Sequence, residues 1–266
     1  MTGTVRRYAR MFRMFALTEL QFEMEYRLNF LFILAEMCLV VGTSVVAVLV
    51  MFTHTETLNG WTLAQMLVLL GVYYLVQGST SLLFEPSLQR VMEHIRQGTL
   101  DYHLLKPANA QFVLSVRHLR LIRTPDVLLG FGVLAVGLVN VGATVSALEA
   151  LLFAVALVCG LMLVYSLLLA LVTFSFWFVR VENVFTIFWA FTDAGRFPVS
   201  IYPAWLRWTL STVVPIGIAV TVPAEAISGM AGVQGIALLA LAAVLAFSGA
   251  STFWRLGLKS YTGASA

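Results

Sequence analysis

Apolar residues run in long blocks, and polar or charged positions fall mainly in the links between them. A helix needs about 20 apolar residues to cross a hydrocarbon core. The blocks therefore predict spans over 28–52, 63–84, 125–141, 148–179, 184–202 and 233–254. The run over 148–179 is longer than a perpendicular crossing requires, so it must tilt, bend or project into water. The run that begins at Val184 reaches span length only if 197–202 complete it. Ahead of the first span, residues 4–27 repeat apolar positions near one helical period, with Arg6, Arg7, Arg10 and Arg13 largely on other faces. That pattern fits an amphipathic helix in the headgroup layer, the alternative being an extension of the first span.

Two intervals interrupt this alternation. The first, 84–107, reads FEPSLQRVMEHIRQGTLDYHLLKP. Pro86 stands near a helix start and Gly98 at its stop. Between them Leu88, Val91, Met92 and Ile95 recur at spacings of three and four, while Gln89, Arg90, Glu93 and Arg96 face elsewhere. Such a helix either docks in a groove of another protein or rests on the membrane surface. The second interval, 203–230, falls where Pro198, Pro203, Pro215 and Pro223 crowd together. Proline removes a backbone donor and clashes with the preceding turn. The segment therefore reads as a re-entrant hairpin shielded by protein, with a single kinked span as the alternative.

Composition sharpens this reading: 60% of residues are hydrophobic and 11% charged, where soluble domains are about 25% charged. Charge placement then sets orientation. With both termini cytoplasmic, only Arg196 and Arg207 of the 16 basic residues fall outside, so a multi-pass protein of the cytoplasmic membrane is expected. The net charge of +3 is not gathered on an aromatic-laced face, and nucleic acid is not an expected partner. Cys38 and Cys159 lie inside apolar runs as small hydrophobes, without disulfide or metal spacing. The N-terminal arginines are not followed by a short apolar run with a small-residue cleavage site, so no removed leader is expected.

Self-contained chemistry is not expected. Lys106 and Lys259 each follow leucine, so neither belongs to a phosphate-cradling Gly-Lys-Ser/Thr loop. Neither HExxH nor Gly-x-Ser-x-Gly occurs, and no catalytic residue or metal ligand is assigned. Glu36 stands about 12 Å into the first span. It lines a substrate path or couples protons, or, as the favoured reading, bonds a polar neighbour inside the bundle. Asp193 and Arg196, three apart, read as an architectural ion pair near the outer surface. Phe185 and Trp189 belong to an aromatic crowd that is either a translocation wall or ordinary packing.

Ile95, Arg96, Gly98, Leu100, Leu104, Leu105, Lys106 and Pro107 form one motif, and GRFPVSIYPAWLRWTLSTVVP followed by VPAE forms a second. Together with the order of the predicted elements, these resemble the membrane subunit of a type-2 ATP-binding-cassette exporter of the daunorubicin-resistance-like permease group, over almost the whole chain. The resemblance implies an all-α membrane fold of six spans with an interface helix, a coupling helix and an extracytoplasmic re-entrant hairpin. It places the coupling helix of 84–107 in a cleft of a separate ATPase, with Val91, Met92 and Ile95 as apolar contacts, Glu93 and Arg96 as polar ones and Gly98 as the turn. It also implies two copies of that ATPase, carrying ATP and Mg so that this chain binds no cofactor, and a second permease, either a related chain or another copy. Export of an amphipathic or lipid-like substrate is the activity implied, among membrane lipids. The alternatives are an ion-coupled carrier using Glu36 and a non-transporting membrane scaffold.

Overall fold

The computed structural model describes residues 2–23, 27–105, 108–142, 145–178, 183–230 and 232–261, and among them there is no strand. Helix α1 (Thr2–Glu23) precedes α2 (Arg27–Phe52) and α3 (Leu63–Leu83), followed by the shorter α4 (Glu85–Gln97), α5 (Asp101–Leu104) and α6 (Ala110–Val116). Then come α7 (Thr124–Val141), α8 (Ala147–Thr173), α9 (Val184–Thr192), α10 (Ala204–Trp208), α11 (Ile216–Ile227) and α12 (Val233–Ser260). By length and composition α2, α3, α7, α8 and α12 each suffice to cross a bilayer. A sixth crossing arises if Ala204–Val213 and Ile216–Ile227, which meet at 90°, count as one span. The chain is an all-α membrane protein.

Local chemistry sets several boundaries. Thr62 with Gln65, and Ser146 with Glu149, form reciprocal capping boxes at the starts of α3 and α8. Helices α3 and α7 then run antiparallel at backbone contact. Gly71 and Gly78 on α3 face Leu134 and Asp126 on α7, Gly130 and Gly137 on α7 face Leu75 and Val68 on α3, and a Cβ at any of the four would come within 2.4–2.9 Å of the opposing helix. Small residues permit this approach, which replaces lipid contacts with dense dispersion contacts. Helix α8 lies antiparallel to α11, with Gly160 against the Ala219 carbonyl, and α12 packs along its other side. Coverage is uneven: 72% of the crossing window of α3 is buried but only 11% of that of α2.

Helices α4, α5 and α6 gather at one end of the bundle with the C-terminus of α12, where the Leu100 amide donates to the Tyr261 hydroxyl at 3.1 Å. Helix α1 lies across this end. Its Tyr8 ring meets Phe112 edge-on at 4.8 Å and its hydroxyl accepts from the Asn109 amide.

One expected span differs from the structure. Over 184–202 there is no continuous helix: α9 has 9 residues and gives way to 3-10 turns at Asp193–Arg196 and Val199–Ile201. At 1.5 Å per residue α9 covers about 14 Å, half a bilayer core. The cause is local, since Gly195, Pro198 and Pro203 interrupt helical bonding in succession. Over 148–179, α8 ends at Thr173 and tightens into a 3-10 turn at Phe174–Phe176; Val179 lies outside the described residues.

The proline-rich interval starts and finishes at one end of the bundle. The Asn59 side-chain amide donates to the Ser200 carbonyl, and Gly229 lies beside Glu149 at the start of α8, so both ends sit at the bundle end opposite α4. Between them Ile216 reaches down to Gly195 and Tyr73. Tyr73 is about 15 Å along α3, near its middle. Pro215 sits at the bend, and Pro223 lacks the N–H that would bond the Ala219 carbonyl facing Gly160.

Candidate functional site

Helix α4 is anchored from below and stopped by its own sequence. Gly98 takes φ +69°, its amide donates to the Ile95 carbonyl and the Thr99 amide to the His94 carbonyl, the paired bonds of a Schellman stop. Threonine 99 also bonds His94 Nδ1 at 2.8 Å, and the His94 and His103 rings lie 4.6 Å apart. Burial holds the His94 pKa below its ordinary value. At the other end Ser87 Oγ donates to the His118 carbonyl and accepts from the His118 amide, both at 2.9 Å. The buried Glu85 carboxylate accepts from Trp189 Nε1 at 3.1 Å and from Gln89 at 3.0 Å. The base of α4 is thus tied to α9 on one side and to the segment leading into α7 on the other.

These anchors decide which face is available. Leu88 and Val91 are 1% exposed and Leu100 is fully buried, with Met92, Ile95 and Leu104 packed partly against the same core. The apolar stripe therefore seals α4 to its own bundle. Val91 and Leu100, expected at a partner's cleft, are not available to one, because the covalently attached bundle is the nearer apolar surface. Arg90, Glu93, Arg96 and Gln97 are exposed, with Gln97 donating to Glu93 at 2.9 Å. Beside them Tyr102 is 74% and Leu105 83% exposed. Tyr102 was not among the residues singled out from the sequence, although an aromatic beside a charged helix in a water-facing link is the signal that would find it. Lys106 and Pro107 lie outside the described residues.

A second cluster lies at mid-depth. The Tyr73 hydroxyl donates to Asp193 Oδ1 at 3.0 Å, Arg196 reaches the same oxygen at 3.0 Å, and the guanidinium stands 5.5 Å over the Tyr73 ring. The pair expected near the outer surface is thus about 15 Å deep along α3, because the break after α9 turns it onto Tyr73. The Asp193 side chain is 55% accessible. Next to it the Tyr74 hydroxyl donates to Ser44 on α2 at 2.7 Å. Glu36, expected to bond inside the bundle, is exposed on α2 and makes no hydrogen bond or ion pair among the described residues. Phe185 is 7% exposed within the protomer core, so it is no wall of an open path, and Trp189 is engaged by Glu85. Among the hairpin prolines, Pro198 and Pro203 flank the 3-10 turn and Pro215 and Pro223 shape α11.

A third feature concerns α1. Glu19 bonds His118 Nδ1 at 3.0 Å, directly behind Ser87. Burial lowers the His118 pKa; Glu19 opposes that shift, and Arg90 and Arg117 add to it.

Comparison with known protein families matches residues 38–265 to the family described as ABC-2 family transporter protein. No curated protein and no solved structure matches the chain.

Proposed function

The chain belongs to the ABC-2 family of transporter proteins, and from that premise we propose that it is the permease subunit of an exporter that moves an amphipathic or lipid-like substrate across the cytoplasmic membrane. The family supplies the membrane component of an ABC transporter, and ATP hydrolysis belongs to a separate ATPase. The observation that carries the finer reading is α4: a helix locked to its own bundle that turns Arg90, Glu93, Arg96 and Gln97 outward beside Tyr102 and Leu105. Two ATPase copies with ATP and Mg would each seat one such knob, on this chain and on a second permease, a copy or a related chain.

Force then has a short route. A tilt of α4 moves Glu85 and with it Trp189 on α9, whose C-terminal turn carries Asp193 and Arg196. Through Ser87 and His118 the same tilt moves the segment that opens α7. Two bonded contacts on a rigid helix favour motion of elements as bodies over local deformation. In this reading the α4 end and both termini are cytoplasmic, which the arginines at 90, 96, 117, 120 and 123 support. Segment 203–230 is then a re-entrant hairpin entered from outside. The exposed apolar positions Met14, Leu17 and Leu20 support α1 as the interface helix.

The test is copurification of the full chain from its own membranes, with photo-crosslinkers at Arg90 and Tyr102. Capture of a nucleotide-hydrolysing chain is expected; an assembly active in transport without one overturns the reading. The exposure of Glu36 favours a second reading, an ion-coupled carrier. In that case E36Q abolishes transport at every pH and ATP depletion at constant proton gradient has no effect.

A further inference from the structure

We propose that the groove between α1, α6, α8 and α12 holds one anionic phospholipid of the leaflet at the α4 end. The cavity there measures about 1150 Å³, beyond the usual 300–1,000 Å³ of small-molecule pockets. Its walls run from Val158 to Tyr165 on α8 and from Phe247 to Arg255 on α12. Each wall is about 11–12 Å long at 1.5 Å per residue, close to one leaflet's half of the roughly 30 Å core. The groove is therefore one acyl layer deep, with Arg255 toward the headgroup level.

Four of its polar groups, Gln111, Ser115, Tyr165 and Ser251, are already committed to one another. The Gln111 side-chain amide donates to the Tyr165 hydroxyl at 3.3 Å and to Ser251 Oγ at 3.0 Å, and Ser115 bonds the same hydroxyl at 2.8 Å. This network ties α6 to α8 and α12 and leaves a largely apolar surface, suited to hydrocarbon. Val158 at the rim is 63% exposed at membrane depth, so the groove opens sideways toward lipid. Charge selects the headgroup: Arg255 is the one charged residue of the lining, no carboxylate accompanies it, and it has no hydrogen bond or ion pair among the described residues. On α1, Tyr8 and Phe12 line the mouth. A bilayer phospholipid is the occupant that matches an apolar channel one leaflet deep with a cationic rim.

The inference concerns the isolated chain and stands whether or not an ATPase binds α4. The full-length chain in mild detergent is titrated with phosphatidylglycerol and with phosphatidylcholine of identical acyl chains, and bound lipid is counted by native mass spectrometry. A preference for phosphatidylglycerol of about fivefold is expected, the order contributed by one basic side chain at an anionic membrane surface. Replacing Arg255 by glutamine removes the preference and keeps phosphatidylcholine binding. The variant Val158→Trp, at an exposed position that leaves the core intact, lowers binding of both. Equal binding of the two lipids to the unmodified chain, a preference that survives R255Q, or undiminished binding in V158W each overturns the proposal. So does a lipid-free dimer that V158W dissociates, which assigns the groove to a second copy.

Discussion

At the scale of single residues, Gly98 and Asp193 each do something no neighbour replaces. Gly98 sits at φ +69°, where an L side chain costs about 1–2 kcal/mol. Replacing it by valine should loosen the Schellman stop and misdirect Tyr102 and Leu105 while leaving the spans assembled. The expected result is permease-stimulated ATPase activity reduced severalfold, with thermal unfolding of the membrane bundle shifted little; unchanged stimulation would remove Gly98 from the coupling role. Asp193 meets both Tyr73 and Arg196. The change to asparagine strands a guanidinium at membrane depth, where charge without a partner is costly. The single variants D193N and R196Q should each melt earlier than the unmodified chain, and the double variant should recover part of the loss. A coupling of about 1 kcal/mol in that cycle fits residues sharing one network; strict additivity would mean the pair is incidental.

Among elements, the α3–α7 pair is the most closely packed, because four glycines at seven-residue spacing remove the side chains between the backbones. Gly71→Leu should push the helices apart and cost about 1–3 kcal/mol of overpacking, read as a lower melting temperature. The same change at Gly42, where a Cβ meets nothing within 4 Å, should be silent. Helix α1 is held more weakly, through Glu19 and His118, and its hold depends on pH. Burial puts the folded His118 pKa below its ordinary 6.5, so the detached state binds the proton more readily. The contact contributes fully above about pH 6.5 and is lost as pH falls from there through the folded value. Spin labels on cysteines placed at Tyr8 and Phe112 should stand farther apart at pH 5.5 than at 7.5, and H118Q should flatten that dependence. A pH-dependent distance that survives H118Q assigns the effect elsewhere.

For the whole molecule, what could be read from the chain was what is encoded locally. Apolar runs fix α2, α3, α7, α8 and α12, and Gly98 ends α4. The direction of the α4 stripe was not legible, since Leu88, Val91 and Ile95 have the same spacing whether they face their own bundle or a partner. Nor was the Glu85–Trp189 bond, which joins residues 104 apart in sequence, or the depth of Asp193, set by a break after α9 that its apolar residues conceal. The bareness of α2 is a further property of the assembled chain. Only 11% of its crossing window is buried, yet it carries Glu36 exposed at membrane depth. A carboxylate facing acyl chains costs about 2.5–3.5 kcal/mol at the centre of a span, so this face fits against protein or a wetted path better than against lipid. Ser44 on α2 accepts from Tyr74, whose neighbour Tyr73 donates to Asp193, so α2 and the end of α9 are linked through buried side chains of α3. A photo-crosslinker at Leu39, 69% exposed on α2, should capture a second permease chain in native membranes, whereas one at Leu238, 66% exposed on α12, should capture lipid. The opposite pattern would move the subunit contact to α12.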